Sequence, residues 1–303
     1  MPSKKKLELK DAFFPVELAS VYVQEKKCAD KQLDLFSKPG QIEIPGFKAV
    51  KRSSDGKVYA MVRDSYHLIT NEDAYALGKT CFAQVFGKAN ADTMVFFNLR
   101  MPDSGSYCHI DFFAKDEDVY LNGDKNNKNE QWRIFLRISN SYNRTFALKF
   151  DIGFCRWICT NGVIFGNNSI EFKYRHDRSS EHIAADFKLK YKAMSVVKEI
   201  FQRQIGLLKQ HELREEEFMP AIAKALQFRL PKDDKEKERA AVRDEYLKEL
   251  ISKYSGENGS NAYALLNVLT DFASRPIYTM TAFENNADTL ERRVGVWMMK
   301  YVA

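Results

Sequence analysis

Residues 131–176 read QWRIFLRISNSYNRTFALKFDIGFCRWICTNGVIFGNNSIEFKYRH and carry the clearest strand pattern in the chain. Two sets of side chains alternate at its start: Trp132, Ile134, Leu136 and Ile138 in one, and Arg133, Phe135, Arg137 and Ser139 in the other. Because successive side chains of a strand point to opposite faces, this predicts one apolar face and one basic face with an aromatic ring. A basic face of this kind can meet phosphates and bases, or it can be an ordinary solvated face.

The sequence before this segment is also typical of short strands. We predict strands at residues 94–99, 107–114 and 119–121, and a helix over 71–86 that Thr70 or Asn71 caps. The acidic run at 116–118 is interpreted as a turn between two of these strands. Tight turns between short strands indicate an antiparallel sheet, because parallel pairs need longer crossover connections.

The apolar spacing changes to a helical period after His176. Helices are expected at residues 180–210, 214–228, 233–254 and 260–274, and from about residue 287. Strands followed by helices predict an α+β protein, with an antiparallel β-sheet core and a C-terminal bundle of about five helices. The predicted division is an N-terminal arm (1–40), an antiparallel β-rich domain (41–177) and a helical domain (178–303). The arm packs along its own domain or crosses to a neighbouring subunit, and the sequence leaves both open.

Composition describes a globular chain with a modest basic excess. The 303 residues are 45% hydrophobic and 29% charged, with a net charge of +6. Nine Lys/Arg against five Asp/Glu lie between Asp124 and Asp177, so most of the excess falls in the predicted sheet. A local excess of this kind can steer a polyanion. Five cysteines, an odd number, favour unpaired thiols in a reducing cytoplasm.

No group of residues has the spacing of a catalytic or metal site. Cys155 and Cys159 are separated by three residues, but a second pair that could complete a zinc site is missing from the sequence. His109 and Asp111 share a strand face, yet a third ligand or a nucleophile is not evident beside them. We therefore predict no enzymatic activity, no metal and no cofactor.

Several motifs of residues 131–176 resemble the phage/plasmid-like protein family, also called domain of unknown function 932. The motifs are Asn140-Ser141-Tyr142, Phe150-Asp151-Ile152-Gly153, Arg156 with Cys159-Thr160-Asn161-Gly162, and Lys173-Tyr174-Arg175-His176. Weaker agreement extends upstream through residues 66–72 and downstream into residues 265–270. The resemblance implies an origin in a phage, plasmid or related mobile element and a place of action in the host cytoplasm. It implies no catalytic residue.

Two functions fit these features. The first is a DNA-binding protein, best described as a single-strand binding or annealing protein that uses the basic sheet face. The candidate contacts with nucleic acid or another partner are Arg133, Phe135, Arg137, Arg144, Lys149, Arg156, Lys173 and Arg175. Phe135 is the candidate stacking ring, with burial beneath a helix as its alternative. The second function is a phage-encoded inhibitor of a host anti-phage defence complex. We expect a homo-oligomer in either case, and no membrane partner.

Overall fold

Two antiparallel sheets form the first half of the molecule. In this computed structural model the described residues are 7–24, 41–86, 94–120, 131–156, 162–164, 171–177, 182–184, 197–275 and 287–301. The first sheet has the order β1-β2-β3, with β1 Val16–Gln24, β2 Gln41–Arg52 and β3 Val58–Arg63. The second has the order β4-β5-β6-β7-β8, and β9 also pairs with β7. Its strands are β4 Met94–Arg100, β5 Tyr107–Tyr120, β6 Gln131–Ser141, β7 Leu148–Arg156, β8 Gly162–Ile164 and β9 Glu171–Tyr174.

One helix lies between the sheets in the chain and the others follow them. They are α1 Asn71–Phe86, α2 Val197–Gln210, α3 Glu215–Leu226, α4 Asp234–Asn258, α5 Ala262–Ser274 and α6 Ala287–Tyr301. The predicted α+β class, with antiparallel strands before a set of C-terminal helices, is confirmed. Thr70 caps α1, because its hydroxyl accepts a hydrogen bond from the Asp73 amide at 3.1 Å.

One expectation about local structure needs correction. Residues 116–118 do not form a turn: β5 runs unbroken from Tyr107 to Tyr120, and its register shifts between Phe113 and Asp118. A bulge therefore absorbs the acidic run within the strand. Of the two placements left open for the N-terminal arm, the described part takes the first, since β1 pairs with β2 of its own chain along most of its length. Cys159, residues 185–196 of the helix expected over 180–210, and residues 1–6 and 25–40 of the expected arm lie outside the described residues.

The main core lies on the face of β6 that carries Trp132, Ile134, Leu136 and Ile138, all of which are fully buried. Helix α1 packs on this face, and so does α2, whose Phe201 ring stacks on Phe154 with 3.9 Å between ring centroids. The alternation in the sequence therefore predicted this face correctly. The opposite face of β6, which carries Phe135, Arg137 and Ser139, is also covered by other parts of the chain. The sequence of the strand alone does not predict this covering.

A row of three charged residues crosses this opposite face. Asp111, Arg137 and Asp151 are register partners on β5, β6 and β7, and each is at most 1% exposed. The Arg137 guanidinium donates to both carboxylate oxygens of Asp111, at 2.6 and 2.7 Å. A bidentate pair of this kind fixes the arginine in orientation as well as in position.

Helix α6 lies across this row and supplies three further charges. Arg137 donates to Asp288 at 3.0 Å and to Glu291 at 2.5 Å. Arg292 donates to Asp288 and to both oxygens of Asp151. The spacing of positions 288, 291 and 292 places all three side chains on one side of the helix.

Arg100 of β4 completes this cluster, which we call the buried ion network. Its guanidinium donates to both oxygens of Glu291, at 2.9 and 2.7 Å. The members of the network are Arg100, Asp111, Arg137, Asp151, Asp288, Glu291 and Arg292. Removing one partner from a buried network leaves the others without compensation, so the set fixes α6 on the sheet.

His109 lies at the edge of this network as a neutral side chain. Its Nδ1 shares a 2.8 Å hydrogen bond with the Ser139 hydroxyl, and Asp288 Oδ1 is 4.0 Å away. Burial lowers the pKa of His109 to about 4, and the nearby carboxylate of Asp288 opposes this only in part. A proton relay through His109 would need Ser139 and Asp288 at different ring nitrogens. Both lie at Nδ1, so these three groups do not form such a relay.

We expect Gly78→Ala to destabilise the protein while Gly206→Ala does not. A Cβ at Gly78 of α1 would lie 2.1 Å from Ile138 Cδ1, whereas a Cβ at Gly206 of α2 would meet no atom within 4 Å. Overpacking costs about 1–3 kcal/mol, and removing a glycine from an unobstructed helix position gains roughly 0.5–1 kcal/mol. Chemical denaturation of both variants measures the two effects. Equal stabilities would contradict the packing of α1 on β6.

We expect the stability of the protein to fall as the pH drops from 6.5 towards 4, in part because of His109. The pKa of this histidine is lower in the folded chain than its ordinary 6.5, so in this window the unfolded chain binds a proton that the folded chain does not. The loss from this group reaches up to about 3 kcal/mol.

The matched variants for this test are His109→Gln and His211→Gln. Denaturant midpoints at pH 7.5, 5.5 and 4.5 should give a flatter profile for His109→Gln and a wild-type profile for the exposed His211→Gln. A His109→Gln profile as steep as that of the wild type would refute the assignment of His109 as a neutral buried group.

Candidate anion-binding pocket

Three of the eight candidate binding residues lie in the interior. Phe135 is fully buried and packs edge-on against Phe97, with 5.8 Å between ring centroids. Arg137 is 1% exposed within the buried ion network. Arg156 is 3% exposed and lies 3.4 Å from Glu257. The expectation that these three contact phosphates or bases is corrected. Neighbouring side chains cover Phe135, and α6 covers Arg137, on one sheet face. Arg156 lies on the other face as the register partner of Trp132, where it packs against Tyr254 of α4.

Arg133 and Lys149 are half-buried and pack against aromatic rings. The Arg133 guanidinium lies 4.8 Å from the centre of the Phe113 ring, and the Lys149 amine lies 5.8 Å from that of Phe146. These contacts orient both cations.

The remaining three candidates, Arg144, Lys173 and Arg175, are exposed. Lys173 lies opposite Lys149 across the β7–β9 pair. Arg144 and Arg175 lie on either side of a pocket of about 520 Å³, which is within the usual size range of small-molecule sites. The structure thus brings together two of the eight residues named from the sequence, and it adds a third arginine, Arg63.

The pocket lies between the first sheet and one end of the second. Its described lining is Phe47, Met61, Val62, Arg63, Ser65, Tyr66, Arg144, Phe146, Ala147, Arg175, His176 and Asp177. Phe47 of β2 and Arg63 of β3 are register partners, so they lie side by side on one face of the first sheet. The lining comes from four separate parts of the chain: β2, the end of β3 with the residues after it, the β6–β7 turn, and the residues after β9.

Backbone hydrogen bonds hold the segment after β3 in place. The Tyr66 amide donates to the Arg63 carbonyl at 2.9 Å, and the His67 amide donates to the His176 carbonyl at 2.8 Å. The Tyr66 and His176 rings then stack, with 5.1 Å between centroids and 4° between planes. Two walls from distant parts of the sequence are therefore joined at this point.

Arg144 occupies a strained position in the turn between β6 and β7. Its φ of 62° lies in the left-handed region, which a residue with a long side chain rarely adopts. The turn is held by Ser141, whose hydroxyl donates to the Phe146 carbonyl at 2.7 Å and accepts from the Phe146 amide at 3.2 Å. Strain that the surrounding structure maintains is a feature of binding sites and turns alike.

The pocket has a positive rim. Arg63, Arg144 and Arg175 are exposed, and within the described part of the chain none of them has an ion-pair partner. Asp177 is the one carboxylate in the described lining. Three guanidinium groups against one carboxylate favour an anion, and guanidinium groups suit phosphate in particular because they can donate two parallel hydrogen bonds.

The inner wall holds polar groups that are buried and neutral. His176 is 8% exposed, and burial lowers its pKa. Burial also raises the pKa of Tyr66 to about 12. The Tyr66 hydroxyl and both ring nitrogens of His176 have no hydrogen-bond partner in the described structure. Buried polar atoms without partners are rare in folded proteins.

Sequence reasoning missed Arg63, Phe47 and Tyr66. Arg63 ends β3 in the alternating run Val58–Arg63, and a terminal arginine in an edge strand gives no sign of its partners. The contact between the loop after β3 and the end of β9 joins positions more than one hundred residues apart. Only the tertiary arrangement makes a pocket of them.

Other chemistry has little support in the part of the chain that the structure describes. No group of three or more His, Cys, Asp or Glu side chains could hold a metal ion within the described ranges. The thiols of Cys81 and Cys108 are buried, and burial raises the pKa of Cys108 to about 12, which suits packing rather than nucleophilic attack. Cys159 lies outside the described residues. Among the helices described above, none is long and apolar enough to cross a membrane.

Comparison with known proteins gives one match. The model of the family described as Domain of unknown function (DUF932) matches residues 113–293, which is more than half of the chain. The match includes Arg144, Arg175 and His176 but begins after Arg63 and Tyr66. No curated protein and no solved structure matches. The chain belongs to the DUF932 family.

Proposed function

We propose that this chain is a non-catalytic binding protein for single-stranded DNA, of the kind that phages and plasmids encode. Arg63, Arg144 and Arg175 contact the phosphates, and the pocket between them receives part of the strand. The single observation that carries this proposal is the set of three exposed arginines without ion-pair partners around one pocket, within the described residues.

Aromatic side chains at the pocket favour a single strand over a duplex. Phe47 is 37% exposed, and Phe146 is half-buried in the opposite wall. Bases of a single strand are free to stack on such rings, whereas those of a duplex are already stacked on each other. These two rings replace Phe135 as the candidate stacking surface. Lys149 and Lys173, on the neighbouring strands, extend the positive surface beyond the pocket.

A protein partner is the second candidate function, and a different surface favours it. Val23 and Ile42 are each more than half exposed at the far end of the β1–β2 pair, where they are register partners and so lie side by side on one face. Exposed apolar side chains in a small group are typical of interaction sites. This end of the sheet could bind a host defence complex or a second copy of the chain.

We expect the triple variant Arg63→Ala, Arg144→Ala and Arg175→Ala to bind single-stranded DNA at least about 10-fold more weakly at 0.1 M salt. Each phosphate contact on a single strand contributes roughly 0.7 to the slope of log affinity against log salt, so the slope should become shallower by about 2. Fluorescence anisotropy with a labelled oligonucleotide over a salt series measures both quantities.

The matched control removes three exposed basic residues from the helical half of the chain. Arg229, Lys235 and Arg239 are exposed, and their replacement by Ala changes the net charge by the same amount. This control should keep nearly the wild-type affinity and slope. An equal loss in both triple variants would show that the pocket has no special role, and absence of binding at 50 mM salt would refute DNA binding.

Recovery from nuclease-treated host lysate separates the two candidate functions. Under the DNA proposal, the tagged chain recovers no stoichiometric protein once nucleic acid has been digested. A stoichiometric protein that is lost when Val23 and Ile42 are changed to Ser would support the second candidate instead. The triple arginine variant should behave like the wild type in that case.

A further inference from the structure

Strand β1 forms one edge of the first sheet. In the order β1-β2-β3 its one neighbour is β2, so no strand among the described residues pairs with the other side of its backbone. The strand is nine residues long, Val16–Gln24. The outer side of an edge strand presents a row of amide and carbonyl groups, and this row can pair with the strand of another chain.

The other sheet edges differ from that of β1. Strand β4 is contacted by the short 3-10 helix Leu9–Ala12, and β8 is contacted by α5 and α6. Strand β3 is six residues long, and its end at Arg63 lines the pocket. Within the described ranges, β1 is therefore the longest edge strand, and its outer side has no pairing partner there.

The composition of β1 favours pairing over protection. Its sequence VELASVYVQ contains one charged residue, Glu17, and neither lysine nor proline. Natural proteins protect exposed edges with charged residues, with proline, with bulges or by keeping the strand short. The irregular register with β2 is not a bulge of β1: Ser20 and Tyr22 are two positions apart, while their partners Lys48 and Glu43 are five positions apart.

The side chains of β1 complement a second copy of the same strand. Placing two β1 strands antiparallel, with Ser20 opposite its own copy, puts Leu18 opposite Tyr22 on each side of the centre. Leu18 and Tyr22 are 37% and 53% exposed, so both are available for such a pair. Ala19 then lies opposite Val21 on the other face. An aromatic or aliphatic side chain opposite another apolar one stabilises antiparallel strands.

We propose that the chain forms a two-fold dimer in which the two β1 strands pair antiparallel, centred on Ser20, and join the two sheets into one of six strands. In this register Glu17 lies opposite Val23 of the second copy, so like charges do not meet. The occupant is a second copy rather than a foreign strand because a two-fold contact requires a surface that complements itself, and β1 does so. The contact uses the edge of the sheet, not the face that carries Val23 and Ile42.

The dimer leaves the proposed DNA pocket free. Phe47 and Arg63 lie on β2 and β3, away from the outer side of β1. Neighbouring strands are about 4.8 Å apart, so the two β3 strands of the dimer would be separated by roughly 24 Å. A two-fold axis perpendicular to the sheet turns the same face of both copies to one side. Both pockets therefore open in the same direction.

Cysteine crosslinking without nucleic acid tests the pairing and its register. An equimolar mixture of Leu18→Cys and Tyr22→Cys chains should form a disulfide-linked dimer, or a mixture of Ala19→Cys and Val21→Cys chains should. The two mixtures belong to the two alternating classes of antiparallel pair, of which one brings side chains closer together. Each variant by itself should crosslink at least 10-fold less than the mixture that contains it.

The background and the control are chosen from the same chain. Cys28 and Cys159 are replaced by Ser in every variant, because the other three thiols are buried. A mixture of Leu18→Cys and Val58→Cys chains is the matched control, since Val58 is 59% exposed on β3, the opposite edge of the same sheet. This mixture should not crosslink. Absence of a crosslink in both test mixtures, or an equal yield in the control, would overturn the proposal.

The molar mass from light scattering over a concentration series measures the dimer itself. The wild-type chain should be dimeric, and Leu18→Lys should dimerise at least 10-fold more weakly because a lysine on an edge strand opposes pairing. Val58→Lys should dimerise like the wild type. A monomeric wild-type chain, or a dimer that Leu18→Lys leaves unchanged, would refute the pairing of β1 strands. Both measurements omit DNA, so their outcome does not depend on the proposed DNA binding.

Discussion

The bidentate pair between Arg137 and Asp111, with Glu291 and Asp288 completing the coordination of the guanidinium, is the interaction on which the rest of the structure depends. Arg137 is buried in the middle of the second sheet. An arginine there is acceptable only if its charge and its donors are matched, because removing a charge from water costs several kcal/mol. Strand β5 provides one carboxylate and α6 provides two, so Arg137 ties α6 to strand β6, which lies about 150 residues earlier in the chain. The network therefore determines where α6 packs, in addition to stabilising the sheet.

This network also determines where a polyanion can bind. The centre of the basic face of β6 is not accessible to a polyanion, because α6 covers it and Asp288 and Glu291 pair with Arg137. Arg144 and Arg175, which have no ion-pair partner among the described residues, lie beyond the covered part, at the end of the sheet near the β6–β7 turn and the end of β9. There the first sheet contributes Arg63 and Phe47, and a pocket results. Strand β6 thus supplies a buried structural arginine at position 137, and the turn that follows it supplies an exposed one at position 144.

The sequence was informative where local rules decide the outcome. The alternation in β6 identified the core face, and α1 was predicted from its capping residues, of which the structure uses Thr70 rather than Asn71. The order of strands and helices predicted the α+β class.

The sequence could not reveal whether the second face of β6 would be exposed to solvent. Arg133, Phe135 and Arg137 give the same strand pattern whether water or an acidic helix covers them. The acidic spacing of Asp288 and Glu291 could have warned of this, since the other buried positions of the helix are Leu290, Val294, Gly295 and Met298. Arg63 and Tyr66 could not have been selected, because their role depends on a contact with residue 176.

Photo-crosslinking tests most directly whether nucleic acid binds at the end of the sheet rather than along its basic face. A single-stranded oligonucleotide with a photoreactive base analogue would be irradiated on the full chain, and the attached peptides identified by mass spectrometry. Crosslinks should fall at Phe47, Tyr66 or Phe146, and they should disappear when Arg63, Arg144 and Arg175 are replaced by Ala. Crosslinks at Phe135 or on the charged helix α4, persisting in that variant, would contradict the assignment of the pocket as the binding site.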